Sequence, residues 1–206
     1  MISLPSHFYA MVDPIAGHEP VDLAKTLLAA GAKILQLRMK RASARDFLAA
    51  AEAMAPLCRQ HRALFIVNDR ADIAKLAGAD GVHLGQDDLP IEAARSVVSS
   101  QMIIGISTHR VEQAIAAERA GADYIGFGPM YPGGAKETRV GQGLENLRAV
   151  RAAIKIPIVA IGGITEGRVA EVLGAGADAV AIISDVVFAP EIESKVRAIL
   201  SIAPER

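Results

Sequence analysis

A ten-residue phrase recurs along this chain and constrains its fold more than any other feature. It reads LAGADGVHLG from residue 76, RAGADYIGFG from 119 and GAGADAVAII from 174, with a looser copy, AAGAKILQLR, from 29. In each copy a helical pattern ends at a glycine, which accepts the left-handed backbone that closes many helices. An alternating apolar stretch follows and predicts a β-strand. The chain therefore repeats a unit of helix, turn and strand.

The spacing of the repeat leaves room for a further strand between consecutive copies. Its glycines, Gly31, Gly78, Gly121 and Gly176, lie 47, 43 and 55 residues apart, enough for two units of about 25 residues each. The additional strands are predicted at HFYAMVD (7–13), LFIVN (64–68), MIIGIS (102–107) and IPIVAIGG (156–163). Segments with apolar residues at helical spacing separate them. The sequence thus predicts eight strands that alternate with helices.

Regular alternation of strands and helices predicts an α/β protein with a parallel sheet covered by helices. An open doubly wound sheet and a closed barrel both have this pattern. Eight units without a large insertion in 206 residues favour the barrel. We therefore expect a single domain, residues 1–206, folded as a compact (β/α)8 TIM barrel. Its reactive face would be formed by the loops that follow the carboxyl ends of the strands.

Composition narrows the classes of partner. The formal net charge of −1 gives no broad basic surface for nucleic acid, so an anionic ligand has to be held by local charge. No apolar run reaches the roughly 18 residues that span a bilayer, and the first residues lack the order of a signal peptide. We expect a cytoplasmic protein with no nucleic-acid or membrane partner, for which an oligomer is possible. The single cysteine, Cys58, is interpreted as a small buried hydrophobic residue.

The second strand leaves through QLRMK, which places Gln36, Arg38 and Lys40 at alternate positions. Alternate strand residues point the same way, so these three side chains can share one side of the barrel mouth. Converging donors suit a phosphate or a pyrophosphate. A solvated rim held by a salt bridge is the simpler alternative.

Acidic residues follow the next two strands. Asn68 and Asp69 belong to NDR after the third strand, and Asp87 and Asp88 to HLGQDDLP after the fourth. Two carboxylates from neighbouring strand ends could hold a magnesium ion, Mg²⁺, and leave positions for water and phosphate oxygens. Alternatively, Asp88 caps a helix that starts at Pro90. The local sequence does not decide between Asp87 and Asp88.

The fifth strand ends in STH. Ser107 and Thr108 offer hydroxyls and His109 offers an imidazole, either to an anion or for proton transfer. Either hydroxyl could instead cap the following helix. His83 lies in the middle of the fourth strand, where we expect a packed, hydrogen-bonded core residue rather than a ligand.

The last three strand ends are rich in glycine. The sixth strand runs into GPMYPGGAKETRVGQG, a turn-rich candidate lid whose Lys136 either closes over a phosphate or is an ordinary exposed lysine. AIGGIT and AIISD end the seventh and eighth strands, where barrels often bind a phosphate through loop amides and a short helix. Gly162 and Gly163 would allow the backbone to approach it closely.

Taken in chain order, these segments resemble the thiamine phosphate synthases of the thiamine phosphate synthase/thiazole tautomerase superfamily. The resemblance runs from YAMVDP through QLRMK, VNDR, ADGVHLGQDDLP, GISTH and GADYIGFGPMYP to VAIGGIT and GADAVAIIS. It implies a TIM-barrel transferase that joins a pyrimidine pyrophosphate to a thiazole phosphate. Pyrophosphate leaves in a dissociative, Mg²⁺-assisted substitution, and the thiazole nitrogen captures the resulting pyrimidine methylene cation.

The resemblance also implies a role for each matching residue at the pyrimidine subsite. The side chains implied to contact the pyrimidine pyrophosphate are Gln36, Arg38, Lys40 and Asn68. Asp69 and Asp88 would be the Mg²⁺ ligands, a choice of Asp88 over Asp87 that the resemblance alone supports.

Matching positions at the remaining strand ends would bind the two phosphate groups. Ser107 and Lys136 are implied to bind pyrophosphate, and the thiazole phosphate would be bound by Gly163, Ile183 and Ser184. Arg38, Ser107 and Lys136 would contribute most to catalysis, because the step needs charge stabilisation of the leaving group rather than a strong general base.

One segment departs from the family pattern. Where the family usually has a proline followed by Thr-x-Thr-Lys, this chain has PGGAK, so Gly133 and Ala135 replace both hydroxyl residues. A hydrogen bond to a charged group is worth roughly 1.5–3 kcal/mol, unless backbone amides substitute for it. Two alternatives therefore stay open: a tautomerase-like relative with His109 as acid and base, and a non-catalytic barrel that binds thiamine phosphate.

Overall fold

The strands of this protein form a closed parallel barrel. A computed structural model describes residues 2–132 and 141–202, and these contain eight strands in sequential order around the barrel, with β8 paired to β1. The strands are β1 Phe8–Val12, β2 Ile34–Leu37, β3 Leu64–Asn68, β4 Gly81–Leu84, β5 Ile103–Thr108, β6 Tyr124–Phe127, β7 Ile158–Ile161 and β8 Ala179–Ile182. The predicted TIM barrel is confirmed.

Helices alternate with the strands and cover the outside of the barrel. In the described part of the chain they are α1 Pro20–Ala29, α2 Ala44–Gln60, α3 Ala71–Ala77, α4 Ile91–Val97, α5 Val111–Arg119, α6 Gly143–Ala153, α7 Val169–Gly174, α8 Ser184–Val187 and α9 Ile192–Ser201. The short α8 follows β8 directly and precedes the outer helix α9. Among residues 2–132 and 141–202, no helix has the length and apolar character needed to cross a membrane.

Alternation along each strand separates two apolar clusters. Phe8, Ala10 and Val12 of β1 belong to a large cluster that also contains helix residues, so these side chains point outward. Tyr9 and Met11 belong to a smaller cluster formed by strand residues from around the barrel, so they point inward. The barrel interior is therefore a filled core, and only the strand ends are available for a ligand.

The repeated small-residue turn has the predicted backbone conformation. Gly31, Gly78, Gly121 and Gly176 all have positive φ, between 64° and 108°. Each lies at the end of a helix, where a residue without a Cβ adopts this conformation without strain. Cys58 is buried in the outer core, as expected, and burial raises the pKa of its thiol to about 12.

The aspartate of the repeat has a structural role at the amino-terminal end of the barrel. Three of the four copies carry Asp immediately before the strand, and each accepts a hydrogen bond of 2.8 Å from an amide near the start of the preceding strand. The pairs are Asp80 with Phe65, Asp123 with Ile104, and Asp178 with Ile158. These bonds hold neighbouring strands in register far from the mouth.

Candidate active site

The three polar side chains at the end of β2 and just after it differ in their exposure to solvent. Gln36 is buried, and its Nε2 donates to Tyr9 Oη at 2.9 Å. Arg38 is half-buried and forms an ion pair with Asp13, whereas Lys40 is exposed and donates to Asp69 Oδ2 at 2.8 Å. Alternation thus places all three on the inner side of β2, but only the two cations reach the rim.

Asp13 belongs to this site although the sequence analysis did not identify it. It follows β1, is 6% exposed, and pairs with Arg38 while its Oδ1 accepts a hydrogen bond from the Ile15 amide. The ion pair fixes a guanidinium that would otherwise lose rotamer freedom on binding a ligand. The available signal was an acidic residue directly after a strand, in VDP.

Asp13→Asn is expected to weaken the binding of inorganic pyrophosphate about 5- to 10-fold, because Arg38 loses the charge-assisted bond that orients it. Isothermal titration calorimetry would measure this change. Asp22→Asn is the matched control, since Asp22 forms an exposed surface pair with Lys25 on α1. Equal affinities of Asp13→Asn and the parent protein would show that Arg38 needs no such support.

Two carboxylates meet where β3 and β4 end. Asp69 has a φ of 63°, an unusual conformation for a residue with a side chain, and this turn follows the buried Asn68. Asp88 lies beside it and accepts a hydrogen bond from the Gly85 amide at 2.6 Å. Burial, followed by the nearby Asp69 carboxylate, raises the pKa of Asp88. The site therefore concentrates negative charge that a cation would neutralise.

The structure separates the alternatives for the two adjacent aspartates. Asp87 is exposed, while Asp88 is half-buried against Asp69. Helix α4 starts at Ile91 with Pro90 as its N-cap and no capping side chain, so the capping role considered for Asp88 is wrong. The geometry therefore pairs Asp69 with Asp88.

The Asp69 and Asp88 pair fits a divalent ion with hard oxygen ligands. Both carboxylates are partly accessible, and their mutual repulsion favours a bound cation. In residues 2–132 and 141–202, no group of three or more His, Cys, Asp and Glu side chains could hold a metal ion. An ion held by this pair would complete its coordination with water and substrate oxygens.

Ser107 connects the mouth to the barrel interior. It is half-buried near the end of β5, and its Oγ lies 2.9 Å from His83 Nε2. His83 Nδ1 lies 3.0 Å from Tyr124 Oη, and burial lowers the pKa of His83 to about 4. The imidazole is therefore neutral near pH 7. The prediction that His83 is a hydrogen-bonded core residue is confirmed.

The two residues after Ser107 are fixed by the neighbouring strand end. Thr108 is fully buried and donates to the Gly126 carbonyl, and His109 Nδ1 donates to the Gly128 carbonyl. Helix α5 begins at Val111 without a side-chain cap, so the capping role considered for Ser107 and Thr108 is wrong. This bond engages Nδ1 and leaves Nε2 as the other ring nitrogen of His109.

The matching positions after β7 and β8 are uncharged, but a guanidinium lies beside them, because Arg168 Nη1 donates to the Gly163 carbonyl at 2.7 Å. Gly163 has a φ of 67°, and a Cβ there would lie 2.8 Å from the Tyr131 carbonyl oxygen, so only glycine fits without a shift. Ile183 is half-buried, and Ser184 is exposed at the start of α8. Apart from bonds within helices and strands, the amides of Gly163, Ile183 and Ser184 donate to no backbone carbonyl in the described part of the chain.

The candidate lid is only partly described. Lys136, together with Gly133 and Ala135, lies outside the described residues 2–132 and 141–202. The described residues before it are held at the end of β7, because the Met130 and Tyr131 amides donate to the carbonyls of Ile161 and Gly162.

The chain is similar to known proteins over most of its length. Residues 8–186 match the family described as thiamine monophosphate synthase. The chain is 49% identical over 194 residues to a thiamine-phosphate synthase of Methanospirillum hungatei, covering 92% of this chain and 93% of that protein. It is 47% identical over 184 residues to the Chlorobium luteolum thiamine-phosphate synthase, covering 89% and 87%.

The solved structure of thiamine phosphate pyrophosphorylase from Pyrococcus furiosus has the same fold. It superposes with a TM-score of 0.87 at 37% identity, covering 94% of this chain and 93% of the other. The family match, the sequence identity and the fold thus agree over most of the chain, which belongs to the thiamine monophosphate synthase family of transferases.

Proposed function

We propose that this protein is a thiamine phosphate synthase that joins a pyrimidine pyrophosphate to a thiazole phosphate and releases pyrophosphate. One observation carries the proposal beyond family membership. Lys40 pairs with Asp69, which lies against Asp88, and Arg38 pairs with Asp13, so cations and a candidate metal site meet at the ends of the neighbouring strands β1 to β4. A pyrophosphate bound with a divalent cation needs both kinds of group.

In the proposed reaction the protein stabilises the leaving pyrophosphate. Arg38, oriented by Asp13, offers a planar guanidinium to phosphate oxygens, and Lys40 adds a second positive charge. Asp69 and Asp88 would hold Mg²⁺, which would supply further neutralisation of the departing charge. Lys136 would act on the same group from the lid. Fixed charges of this kind are most effective when they act as negative charge develops on the leaving oxygen.

The thiazole phosphate would bind across the mouth from these charges. Gly163, Ile183 and Ser184 would bind its phosphate through their amides, and Ser184 also through its hydroxyl. Binding there would hold the thiazole nitrogen near the pyrimidine methylene carbon, so that capture of the cation is fast. This arrangement requires no general base, in agreement with the neutral His83 and the tethered His109.

A tautomerase-like activity is the second candidate, and the geometry of His109 favours it. With Nδ1 bonded to the Gly128 carbonyl, Nε2 is available to accept a proton at the mouth. Isomerisation of the thiazole phosphate releases no pyrophosphate. The pairs of Arg38 with Asp13 and of Lys40 with Asp69 would then have no pyrophosphate to bind. We therefore place this activity second.

Incubation of the purified protein with both substrates and Mg²⁺ is expected to give thiamine phosphate. Chromatography would measure the product. Omission of metal should abolish product, and Lys136→Ala should lower kcat about 100-fold if that lysine stabilises the leaving group. No product from folded protein that binds both substrates would contradict the synthase. Thiazole isomerisation that is lost in His109→Asn would then establish the second candidate, and binding without any turnover would establish a non-catalytic barrel.

A further inference from the structure

A line of hydrogen-bonded side chains runs through the barrel interior and ends at Ser107. Gln36 Nε2 lies 2.9 Å from Tyr9 Oη, which lies 2.8 Å from Tyr124 Oη. Tyr124 Oη lies 3.0 Å from His83 Nδ1, and His83 Nε2 lies 2.9 Å from Ser107 Oγ. We call these five residues the interior chain. They come from five different strands, so only the closed barrel brings them together.

Most of the interior chain is removed from solvent. Gln36, Tyr9, Tyr124 and His83 are at most 9% exposed, whereas Ser107 is half-buried at the mouth. Buried polar groups must find their partners within the protein, because an unpaired donor costs much of its lost hydration energy. Burial also raises the pKa of both tyrosines, so their hydroxyls keep their protons. Each proton in the line therefore needs a defined acceptor.

Counting protons gives the interior chain a direction. The Gln36 amide nitrogen only donates, so Tyr9 Oη accepts at that contact. Tyr124 Oη is the other partner of Tyr9, so the Tyr9 hydroxyl donates its hydrogen bond to Tyr124 Oη. The Tyr124 hydroxyl then donates to His83 Nδ1. A neutral imidazole that accepts at Nδ1 carries its proton on Nε2, so His83 donates to Ser107 Oγ. The proton of Ser107 remains for a group at the mouth.

This direction matches the ligand of the proposed function. A pyrophosphate bound with a divalent cation, which would offset Asp69 and Asp88, is an acceptor, and a hydroxyl with an outward proton donates to it. With the opposite direction, Ser107 would donate inward and turn its lone pairs toward that anion. We infer that Tyr124 and His83 are positioning residues that orient the Ser107 hydroxyl as a donor to the pyrophosphate group of the substrate. The identity of that substrate rests on the proposed function, but the direction of the interior chain does not.

The direction can be measured directly by NMR on the free protein. Long-range proton–nitrogen correlations distinguish the two neutral forms of an imidazole, and His83→Asn identifies the signals of His83 among the five histidines. We expect the proton on Nε2 in the parent protein and a mixture of both forms in Tyr124→Phe. A proton found on Nδ1 in the parent protein would overturn the inference. This measurement requires neither substrate nor activity.

The consequence for ligand binding is tested by calorimetry with inorganic pyrophosphate and Mg²⁺. Ser107→Ala should weaken binding about 10-fold and Tyr124→Phe about 3-fold, since a donor to a charged group is lost or left unoriented. In the Ser107→Ala background, Tyr124→Phe should have no further effect, because it acts through that hydroxyl. Thr108→Val is the control, as it removes a buried hydroxyl of β5 that bonds outside the interior chain.

The outcomes separate this inference from the proposed function. Equal weakening by Tyr124→Phe with and without the Ser107 hydroxyl would show a general loss of packing and would overturn the inference. Tyr9→Phe is a second variant for the case that Tyr124→Phe does not fold, and it should produce the same pattern with a smaller effect. The expected tautomer and coupling in a protein that forms no thiamine phosphate would support the inference while contradicting the synthase.

Discussion

Gly105→Ala is expected to destabilise the protein by about 3 kcal/mol, at the upper end of the usual cost of overpacking a core. Gly105 lies in the middle of β5, and a Cβ there would lie 2.1 Å from Tyr124 Cζ and 2.5 Å from its hydroxyl oxygen. Tyr124 cannot move away easily, because its ring is fully buried and its hydroxyl is bonded to both Tyr9 and His83. Equilibrium unfolding in urea would measure the change.

The same substitution at an open glycine provides the control. Gly167 has no heavy atom within 4 Å of a built Cβ, so Gly167→Ala should leave the free energy of unfolding within about 0.5 kcal/mol of the parent value. Displacement of Tyr124 would also disturb the contact between His83 and Ser107, so pyrophosphate binding should weaken in folded Gly105→Ala. A loss below about 1 kcal/mol would mean that the interior repacks, contrary to its close packing.

Asp88→Asn is expected to have opposite effects on activity and stability. Loss of a candidate metal ligand should lower kcat/KM about 100-fold or more. The raised pKa of Asp88 means that the folded state disfavours its charged form, relative to the unfolded chain. This loss of folding stability is absent at a pH below the pKa of Asp88 in the unfolded chain. It is fully present at a pH above the raised pKa of Asp88 in the folded protein, and therefore at neutral pH. Removing the charge should therefore raise the Tm at pH 7 by about 1–3 °C.

Asp87→Asn is the matched control for this experiment, because Asp87 is the adjacent, exposed aspartate. It should change neither the activity nor the melting temperature measurably, whereas Asp88→Asn should change both. Calorimetry at pH 7 and steady-state kinetics at saturating Mg²⁺ would provide the two values. A larger loss of activity in Asp87→Asn would assign the metal-binding role to the other carboxylate and contradict the pairing of Asp69 with Asp88.

The fold could be predicted from the sequence because its signals are local and repeated. Each helix-closing glycine requires a backbone conformation that few other residues adopt, and each following stretch alternates between inward and outward side chains. Four copies made a closed arrangement of eight strands the simplest solution. The charged residues after the strands were also identified, since their spacing alone puts them at the mouth.

Other parts of the site depend on contacts that the sequence does not show. Tyr9 and Tyr124 are 115 residues apart and look like ordinary apolar strand positions, so their bond depends on barrel closure and register. The role of Asp13 likewise depends on the pairing of β1 with β2. A capping role stayed open for Asp88 because sequence patterns do not show that α4 starts at Ile91 without a capping side chain.

The three aspartates at the amino-terminal end of the barrel separate the assembly of the strands from the residues at the mouth. Each repeat carries its own attachment to the strand before it, through Asp80, Asp123 or Asp178, and none of these bonds involves the mouth. The looser first copy has Lys33 instead, which donates to the His61 carbonyl. The bonds that hold these strands in register therefore lie at the opposite end of the barrel from the mouth, so a substitution in a mouth loop leaves them intact.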